Sequence, residues 1–519
     1  MAFTSCFSGL VKPAQTSPPD SADPRICKSF NAPEPVERKE QKEIMRLLES
    51  GDLFRYNRED SQSPVSLVEK QLADYMGFKY CVAMNSCGSA LFLALKAVGV
   101  GQGTKVLGNA LTFGAVPSAV HHAGGEFCFV ESTRDIVIDV EDLALKADET
   151  GAKFLMLSHM RGRVAELDQV KEVCDKRGIT IVEDCAHSLG VWWGRTHTGH
   201  HGRVCCVSSQ SYKIINSGEG GFALTDDDDV AAKICIMAGG YEANFKKHIC
   251  VPGPEVFGRL VPQRFPNYSI RMSNLTASVL PCQLRSLEAR IAVANTKYEL
   301  LRDRFTQKVA AALGDRAEIY TPQLPACVRP CFDSLQFVAD LPAQVRDRFL
   351  ANAKARGVPL SIFGAQGNAR NFTAWEFLGA QHVQAGIASC SNTAALVKMA
   401  YDVRIPRVLR EGRPGHRRRL GGLSAGGARA VRVGRTLRRT ARTEPARASS
   451  GPGPKALVLL LLPPPPPRCA LLALSPPPPP PAPRPPGVLS LAAQARAQAA
   501  RREAQVSKTA TSAPLERGP

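Results

Sequence analysis

"KYCVAMNSCGSALFLALKAVGVGQGTKVLGNALTFGA", residues 79–115, places two short apolar runs on either side of a longer apolar segment that ends in glycine. The outer runs, KYCVAMN and TKVLGNA, have the length of buried strands, and the segment between them has the length and the terminal glycine of a helix. A helix between two strands is typical of a βαβ unit, in which the strands lie parallel. The stretch therefore predicts an α/β domain.

The same alternation of strands and helices continues to residue 226. It predicts a mostly parallel sheet covered by helices on both faces. One long helix is expected over residues 276–305, followed by a smaller α+β region. The predicted organisation is a disordered leader (1–30), a large α/β domain (31–270), a linking helix (271–315), a small C-terminal domain (316–406) and a disordered Arg/Pro/Ala-rich tail (407–519).

The positive charge is confined to the C-terminal part of the chain. The formal net charge of the chain is +19. Residues 404–519 contain 22 basic and 4 acidic residues, whereas residues 1–403 contain 44 basic and 43 acidic residues. Residues 407–519 have no Phe, Tyr, Trp or Asp and contain long proline runs, so they cannot bury enough apolar surface to fold. The globular part is nearly neutral, and we predict no specific nucleic-acid partner.

The cysteine pattern favours a reducing, cytoplasmic location. Sixteen cysteines are scattered through the chain without regular spacing, as reduced thiols are. No apolar run is long enough to span a bilayer, and no membrane partner is predicted. The pair Cys327 and Cys331 has no second pair, and HTGHH (197–201) has no evident fourth ligand, so no metal site is predicted.

Lys213 is the first candidate catalytic residue. It lies in SSQSYKIINSGEGGFALTDD (208–227), between small hydroxyl residues and a glycine-rich turn, with no acidic residue within five positions. A lysine amine has a pKa of about 10.4 and must be desolvated or placed beside positive charge before it can attack a carbonyl at neutral pH. The alternative is a solvated surface lysine.

Three further features point to one ligand when they are combined with Lys213. Asp184 ends a strand in IVEDCAHSLG, where a buried carboxylate needs a cationic partner such as a protonated ring nitrogen; alternatively it caps a helix. In NSCGSALFLAL, Gly88 and Ser89 begin a helix that can bind a phosphate, or they serve as its cap. Phe113 can pack on a flat ring, or belong to the core. An aromatic ring with a protonatable nitrogen, a phosphate and an aldehyde describes pyridoxal 5′-phosphate (PLP).

Residues 31–406 resemble the DegT/DnrJ/EryC1/StrS family of sugar aminotransferases, which are PLP-dependent enzymes of fold type I. The resemblance is found in the motifs around residues 85–115, in HMRGRVAELDQVKEVCDKRGITIVEDCAHSLG, in SSQSYKIINSGEGGFALTDD and in RMSNLTASVLPCQLRSLE. It implies a PLP-dependent transferase fold of type I, with a mostly parallel sheet between helices and a smaller C-terminal α+β domain. The lysine at position 213 distinguishes the chain from the dehydratase branch, which has histidine there.

The resemblance also implies roles for individual residues. Lys213 matches the lysine that forms the internal aldimine and Asp184 the carboxylate on the pyridine nitrogen. His187 matches a residue beside the ring and Phe113 the stacking aromatic. The phosphate-binding residues are matched by Gly88, Ser89 and Ser208.

The implied function is PLP-dependent transfer of an amino group from glutamate or glutamine to a keto sugar, expected to be nucleotide-linked. A homodimer with shared active sites is implied as well, since the segment before RMSNL resembles a loop that reaches the neighbouring subunit. Two alternatives stay open: a PLP aminotransferase acting on a keto-cyclitol or another ketone, and a catalytically inactive binding or regulatory protein. The second alternative is motivated by the atypical sequence after Pro406.

Overall fold

The structure, a computed structural model, describes residues 34–58, 62–260, 264–313 and 318–406. The predicted leader and the predicted tail therefore lie outside the described residues. Within these ranges, no helix combines the length and the apolar character needed to cross a membrane.

The helices and strands alternate along the chain much as the sequence predicts. In order they are α1 (Arg38–Ser50), α2 (Pro64–Met76), β1 (Tyr80–Met84), α3 (Cys87–Val98), β2 (Lys105–Asn109), α4 (Ala115–His122), β3 (Glu126–Val130), α5 (Val140–Thr150), β4 (Phe154–Ser158), α6 (Leu167–Arg177), β5 (Thr180–Asp184), β6 (Trp192–Trp193), β7 (Thr196–His197), β8 (Val204–Ser208), β9 (Gly221–Thr225), α7 (Asp228–Ala238), α8 (Pro254–Arg259), α9 (Asn274–Ser278), α10 (Pro281–Arg285), α11 (Leu287–Leu313), β10 (Val328–Arg329), β11 (Ser334–Val338), α12 (Ala343–Ala355), β12 (Ser361–Ile362), α13 (Ala380–Ser389), α14 (Ser391–Leu396) and β13 (Ala400–Arg404).

The central sheet has seven strands in the order β1-β9-β8-β5-β4-β2-β3. The pairs β8–β5, β5–β4, β4–β2 and β2–β3 are parallel, whereas β9 is antiparallel to both β1 and β8. The prediction of a mostly parallel sheet is confirmed. Because β5, β4 and β2 run the same way as β8, their carboxyl ends meet at one edge of the sheet, where ligands bind in open α/β folds.

The sheet is buried on both faces. Successive side chains of a strand point to opposite faces, and in β1 Cys81 and Ala83 belong to one apolar cluster while Val82 and Met84 belong to another. Residues of α2, α5 and α6 complete the first cluster, and residues of α3, α4 and α7 complete the second. Asp184 has the same parity as Val182, which faces the second cluster, so its side chain projects toward the face that α3 covers.

The predicted helix over residues 276–305 is not continuous. The structure divides it into α9, α10 and α11, with Pro281 at the first position of α10. Proline has no N–H for the helical ladder, so the break between α9 and α10 falls at Pro281.

The C-terminal residues form a second, antiparallel sheet in the order β11-β13-β12. Its core includes Phe337 and Tyr401, which are paired across β11 and β13. Helix α11 connects the two cores, because Leu287 belongs to a cluster of the central sheet and Phe305 to the cluster of the C-terminal sheet.

Candidate active site

The predicted site residues meet at the carboxyl ends of the parallel strands. Asp184 is the last residue of β5 and Ser208 the last residue of β8. Strand pairing places Ser158, the end of β4, opposite Asp184. The charges of Asp184 and Lys213 both act on Cys87, the first residue of α3, so the helix N-terminus lies beside them.

Asp184 is a buried carboxylate held by neutral donors. Its side chain is 6% exposed; Oδ2 accepts a hydrogen bond from Ser158 Oγ at 2.8 Å, and Oδ1 accepts one from the Ala186 amide at 3.1 Å. Thr112 Oγ1 donates in turn to Ser158 Oγ at 2.7 Å. Within the described residues, no Lys, Arg or His nitrogen lies within 4.0 Å of this carboxylate. A buried carboxylate in such surroundings suits a cationic ligand group.

The alternative interpretation of Asp184 as a helix cap is partly met. The hydrogen bond from Ala186 is that of a local turn, but residues 186–190 form turns and not a helix. Asp184 Oδ2, which accepts the hydrogen bond from Ser158, takes no part in this turn. The turn alone therefore does not account for Asp184.

Lys213 lies in the loop that joins β8 to β9. Hydrogen bonds between Ser209 and Gly220, and between Ser211 and Gly218, draw the two sides of this loop together. The Lys213 amine is 2.8 Å from His187 Nε2. Its removal from water lowers the pKa of Lys213 to about 8, while the charges of Asp333 and Asp184 act in the opposite direction. A substantial fraction of the amine is therefore neutral near pH 7.5, as a nucleophile or base requires.

His187 connects Lys213 to the C-terminal sheet. Burial and the positive charge of Lys213 hold the pKa of His187 well below its usual range, so the ring is neutral. Its Nδ1 lies 2.8 Å from Asp333 Oδ2. A neutral ring that donates from Nδ1 to a carboxylate has a lone pair on Nε2, which accepts a hydrogen bond from the amine.

Asp333 stays ionised in this arrangement. Burial alone would favour the neutral acid, but the contact with His187 and the charge of Arg161 keep the pKa of Asp333 well below its usual range. Arg161 NH1 lies 3.9 Å from Asp333, and its NH2 donates to Asp402 at 2.5 Å. The order Lys213, His187, Asp333, Arg161 forms one hydrogen-bonded and ionic chain across the site.

The N-terminus of α3 forms the third side of the site. Ser86 caps the helix by accepting a hydrogen bond from the Ser89 amide at 3.1 Å. A Cβ added to Gly88 would meet only Ser86 Oγ, at 3.8 Å, so the space beside Gly88 is open. A Cβ on Gly221 would instead lie 2.3 Å from the Cys87 amide nitrogen, so only glycine lets β9 approach the helix this closely. First-turn amides lack intrahelical partners and attract anions.

Phe113 is 42% exposed and is therefore not the ordinary core aromatic of the alternative interpretation. The Arg370 guanidinium lies over its ring, 5.0 Å from the centroid. The Gly114 amide donates to the Ala369 carbonyl at 2.9 Å, which fixes the segment of Arg370 against that of Phe113.

The structure brings together Lys213, Asp184 and His187, with Ser208 and the start of α3 at the same strand ends. Sequence reasoning missed the polar residues that reach this site from the C-terminal region: Asp333, Arg370, Asp402 and Arg404. They lie more than a hundred residues from Lys213 and belong to no motif. Arg161 could have been predicted as a site residue from the sequence, because it closely follows the carboxyl end of β4.

HTGHH (197–201) and one buried group contain side chains of the kinds that bind metals. In HTGHH, His197 Nε2 accepts from the Gly190 amide at 2.9 Å, and a His200 ring nitrogen lies 2.8 Å from the Met76 carbonyl oxygen. His159, Glu183 and Cys185 form one buried group whose potential ligand atoms lie within 4.8 Å of one another. The Glu183 carboxylate already accepts hydrogen bonds from the amides of Gly199 and Gly202. These contacts give His197, His200 and Glu183 structural functions.

Comparison with known proteins identifies related sequences over much of the folded part. A family model described as the DegT/DnrJ/EryC1/StrS aminotransferase family matches residues 36–359. The spore coat polysaccharide biosynthesis protein SpsC of Bacillus subtilis is 32% identical over 205 residues, which cover 39% of this chain and 51% of that protein. GDP-perosamine synthase of Caulobacter vibrioides is 31% identical over 251 residues, which cover 48% of this chain and 62% of that protein. The chain thus spans between about half and two thirds of these curated relatives.

Solved structures confirm the fold. The structure of 3-amino-5-hydroxybenzoic acid synthase superposes with a TM-score of 0.60 at 22% identity, covering 74% of this chain and 94% of that one. An E. coli GDP-4-keto-6-deoxy-D-mannose-3-dehydratase, solved with bound hydrated PLP, superposes with a TM-score of 0.59 at 21% identity. The superposition covers 73% of this chain and 95% of that one. The predicted PLP-dependent transferase fold of type I is therefore confirmed. Because the family model matches more than half of its residues, the chain belongs to the DegT/DnrJ/EryC1/StrS aminotransferase family.

Proposed function

We propose that this protein is a PLP-dependent aminotransferase that moves an amino group from glutamate or glutamine to a nucleotide-linked keto sugar. The observation that carries the proposal is that a partly neutral lysine amine, Lys213, lies in the same site as a buried carboxylate, Asp184, and within the described residues no Lys, Arg or His nitrogen lies within 4.0 Å of that carboxylate. The GDP-perosamine synthases of two organisms among the relatives support a nucleotide sugar as acceptor.

The residues of the site fit PLP. Asp184 would hold a protonated ring nitrogen, and Phe113 offers an exposed aromatic face to the ring. Gly88 and Ser89 begin α3, where open space and first-turn amides suit a phosphate, and Ser208 adds a hydroxyl at the adjacent strand end. When bound, PLP supplies an electron sink for the negative charge that develops at the substrate carbon.

The side chains then perform proton transfer and orientation. Lys213 takes the proton from the substrate carbon as a neutral base and returns it as an acid. His187 orients the amine through the 2.8 Å hydrogen bond to Nε2, and Asp333 fixes the tautomer of His187. Asp184, by holding a proton on the ring nitrogen, keeps the ring electron-poor.

The acceptor and the dimer are further parts of the proposal. A keto-cyclitol is the second candidate acceptor, because L-glutamine:2-deoxy-scyllo-inosose aminotransferase of Streptomyces kanamyceticus is 33% identical over 165 residues. The inactive-protein alternative rested on the tail, which lies outside the described residues, and the retained Lys213 and Asp184 favour activity. We further propose a cytoplasmic homodimer with shared sites and the predicted boundaries, 31–270, 271–315 and 316–406.

Reductive trapping tests the site. We expect borohydride treatment of the PLP-loaded protein to leave a pyridoxyl group on the peptide that contains Lys213, detected by mass spectrometry. Lys213→Ala should abolish this label and the half-reaction with glutamate, whereas Lys246→Ala, at an exposed position, should change neither. An unlabelled Lys213 peptide in protein incubated with PLP would refute the proposal.

A substrate panel tests the acceptor. Keto-sugar nucleotides and keto-cyclitols are incubated with the enzyme and glutamate or glutamine, and mass spectrometry detects the gain of an amine. Amination of a keto-sugar nucleotide supports the main proposal, and amination of a keto-cyclitol alone would replace it by the second candidate. Light scattering on the loaded protein would show one subunit mass if the homodimer is wrong.

A further inference from the structure

One face of strand β11 is buried and yet polar. Successive side chains of a strand point to opposite faces, and Leu335 and Phe337 enter the apolar core of the C-terminal sheet. Ser334 and Gln336 point the other way, and both are 0% exposed. Buried polar groups are costly unless each of them is hydrogen-bonded. The partners of these two side chains therefore decide what this face does.

The side-chain amide of Gln336 has one possible orientation. Arg163 donates from Nε to Gln336 Oε1 at 3.1 Å, and an arginine side chain has no acceptor atom. Arg163 is itself buried and also donates to two other oxygens, which fix its position. Gln336 Nε2 therefore lies on the opposite side, where it donates to Ser334 Oγ and to Asp402 Oδ1, each at 2.8 Å.

This orientation determines how the Asp333 carboxylate is held. Ser334 Oγ accepts from Gln336, and its own hydrogen is donated to Asp333 Oδ1 at 2.6 Å. The other oxygen, Oδ2, faces His187 Nδ1 at 2.8 Å. Donors from both sides thus converge on Asp333, as suits an ionised carboxylate, and hydrogen bonds in such a chain polarise one another. The lone pair of His187 is left on Nε2, 2.8 Å from the Lys213 amine.

We propose that Ser334 and Gln336 are positioning residues for amino transfer, which hold Asp333 so that His187 keeps its lone pair directed at the Lys213 amine. This inference rests on the proposed function and extends the site into the C-terminal sheet. Without the hydrogen bond from Ser334, the Asp333 carboxylate can rotate, and His187 loses its fixed partner. The amine is then aimed less accurately at the substrate carbon, and proton transfer becomes slower.

Single-turnover kinetics of the PLP-loaded enzyme with glutamate separate positioning from folding. A misplaced amine lowers the rate of the half-reaction, whereas unfolded molecules lower only its amplitude. We expect Ser334→Ala to lower the rate about 10-fold, because it removes one hydrogen bond to a charged group. Glutamate with deuterium at its α-carbon should show an isotope effect at least as large as in the wild type, because proton transfer is the step that slows.

Two further variants distinguish the hydrogen bond from packing. Ser334→Cys fills the same space with a weak donor and should lose about as much rate as Ser334→Ala. Gln336→Glu keeps its shape and its acceptor for Arg163 but cannot donate to Ser334, so its rate should fall as well. Thr225→Val is the matched control and should keep the wild-type rate. The Thr225 hydroxyl is also buried in a strand, where it donates to the Arg203 carbonyl at 2.7 Å, at the end of β9 far from the site.

Cofactor loading gives a readout that does not depend on turnover. The rate at which stripped protein takes up PLP is measured against pH by borohydride trapping. The negative charge added in Gln336→Glu favours the protonated amine, so the midpoint should move above the wild-type value of about 8. Ser334→Ala adds no charge and should keep the wild-type midpoint. Both variants retain the other groups whose charges act on the amine: Asp333, Asp184, Cys87 and Arg161.

The outcomes separate this positioning role from the proposed function. Trapping of a pyridoxyl group on Lys213 reports on the proposed function alone. The positioning role is overturned by a wild-type rate in Ser334→Ala and Gln336→Glu, by a rate that Ser334→Cys restores, by loss of the isotope effect, or by an unchanged or lower midpoint in Gln336→Glu. In each of these cases a labelled Lys213 leaves the aminotransferase intact.

Discussion

Replacing Asp333 by Asn tests the chain of contacts that sets the protonation of Lys213. Asn keeps the shape of Asp and can still accept a hydrogen bond from His187 Nδ1, but it removes one negative charge. Asp333 faces Lys213 across the imidazole, through two contacts of 2.8 Å. Asp184, Cys87 and Arg161 also act on the amine and are unchanged in the variant.

The expected effect follows from Coulomb's law. A unit charge about 8 Å away contributes about 2 kcal/mol at an effective dielectric constant of about 20, which is about 1.5 pKa units. The negative charge of Asp333 favours the protonated amine, so its loss should lower the pKa of Lys213 from about 8 to about 6.5. At pH 7 the neutral fraction of the amine, and with it the rate of cofactor loading, should then rise about eightfold.

The assay uses protein stripped of cofactor and mixed with a low, fixed concentration of PLP between pH 5.5 and 9.5. Aliquots are trapped with borohydride, and the labelled Lys213 peptide is quantified by mass spectrometry. In the wild type the loading rate should rise about tenfold per pH unit below about 8 and level off above it. Asp333→Asn should move this midpoint to lower pH, whereas Asp340→Asn, at an exposed position after β11, should not. An unchanged or higher midpoint in Asp333→Asn would refute the reasoning.

Three further substitutions test the site and its support. Asp184→Asn removes the buried carboxylate and should slow the half-reaction by more than about 100-fold, measured in a stopped-flow instrument, while the trapped label on Lys213 persists. Gly221→Ala would place a methyl group 2.3 Å from the Cys87 amide nitrogen, and should cost about 1–3 kcal/mol of unfolding free energy by urea titration; Gly101→Ala, where a Cβ meets nothing within 4 Å, should not show this loss. In the structure the buried Arg55 pairs with Glu69 at 2.9 Å. Glu69→Gln removes this counter-ion and should cost about 3–5 kcal/mol of unfolding free energy by the same titration. Glu43→Gln, in an exposed pair, is its control, and an equal loss in both would contradict the argument.

The sequence determined the local elements of the central sheet and the residues at its strand ends. Alternating apolar runs and helices predict the strands β2, β3, β4 and β5, which pair in parallel in the structure. Because the carboxyl ends of parallel strands share one edge, the sequence places Asp184 at the ligand-binding edge of the sheet, and the family resemblance adds Lys213 and Ser208 to the same site. These inferences depend on the spacing of apolar residues and on the direction of each strand, and both can be read from short segments of sequence.

The tertiary structure decided which residues of the C-terminal region complete the site. Asp333 reaches His187 from 146 residues away, and Arg161 reaches Asp402 from 241 residues away. Such pairs depend on how the C-terminal sheet packs against the central one, and no local periodicity encodes that packing. The charge state of Lys213 follows from the same packing, because burial and nearby charges, which set a pKa, are summed over groups far apart in the chain.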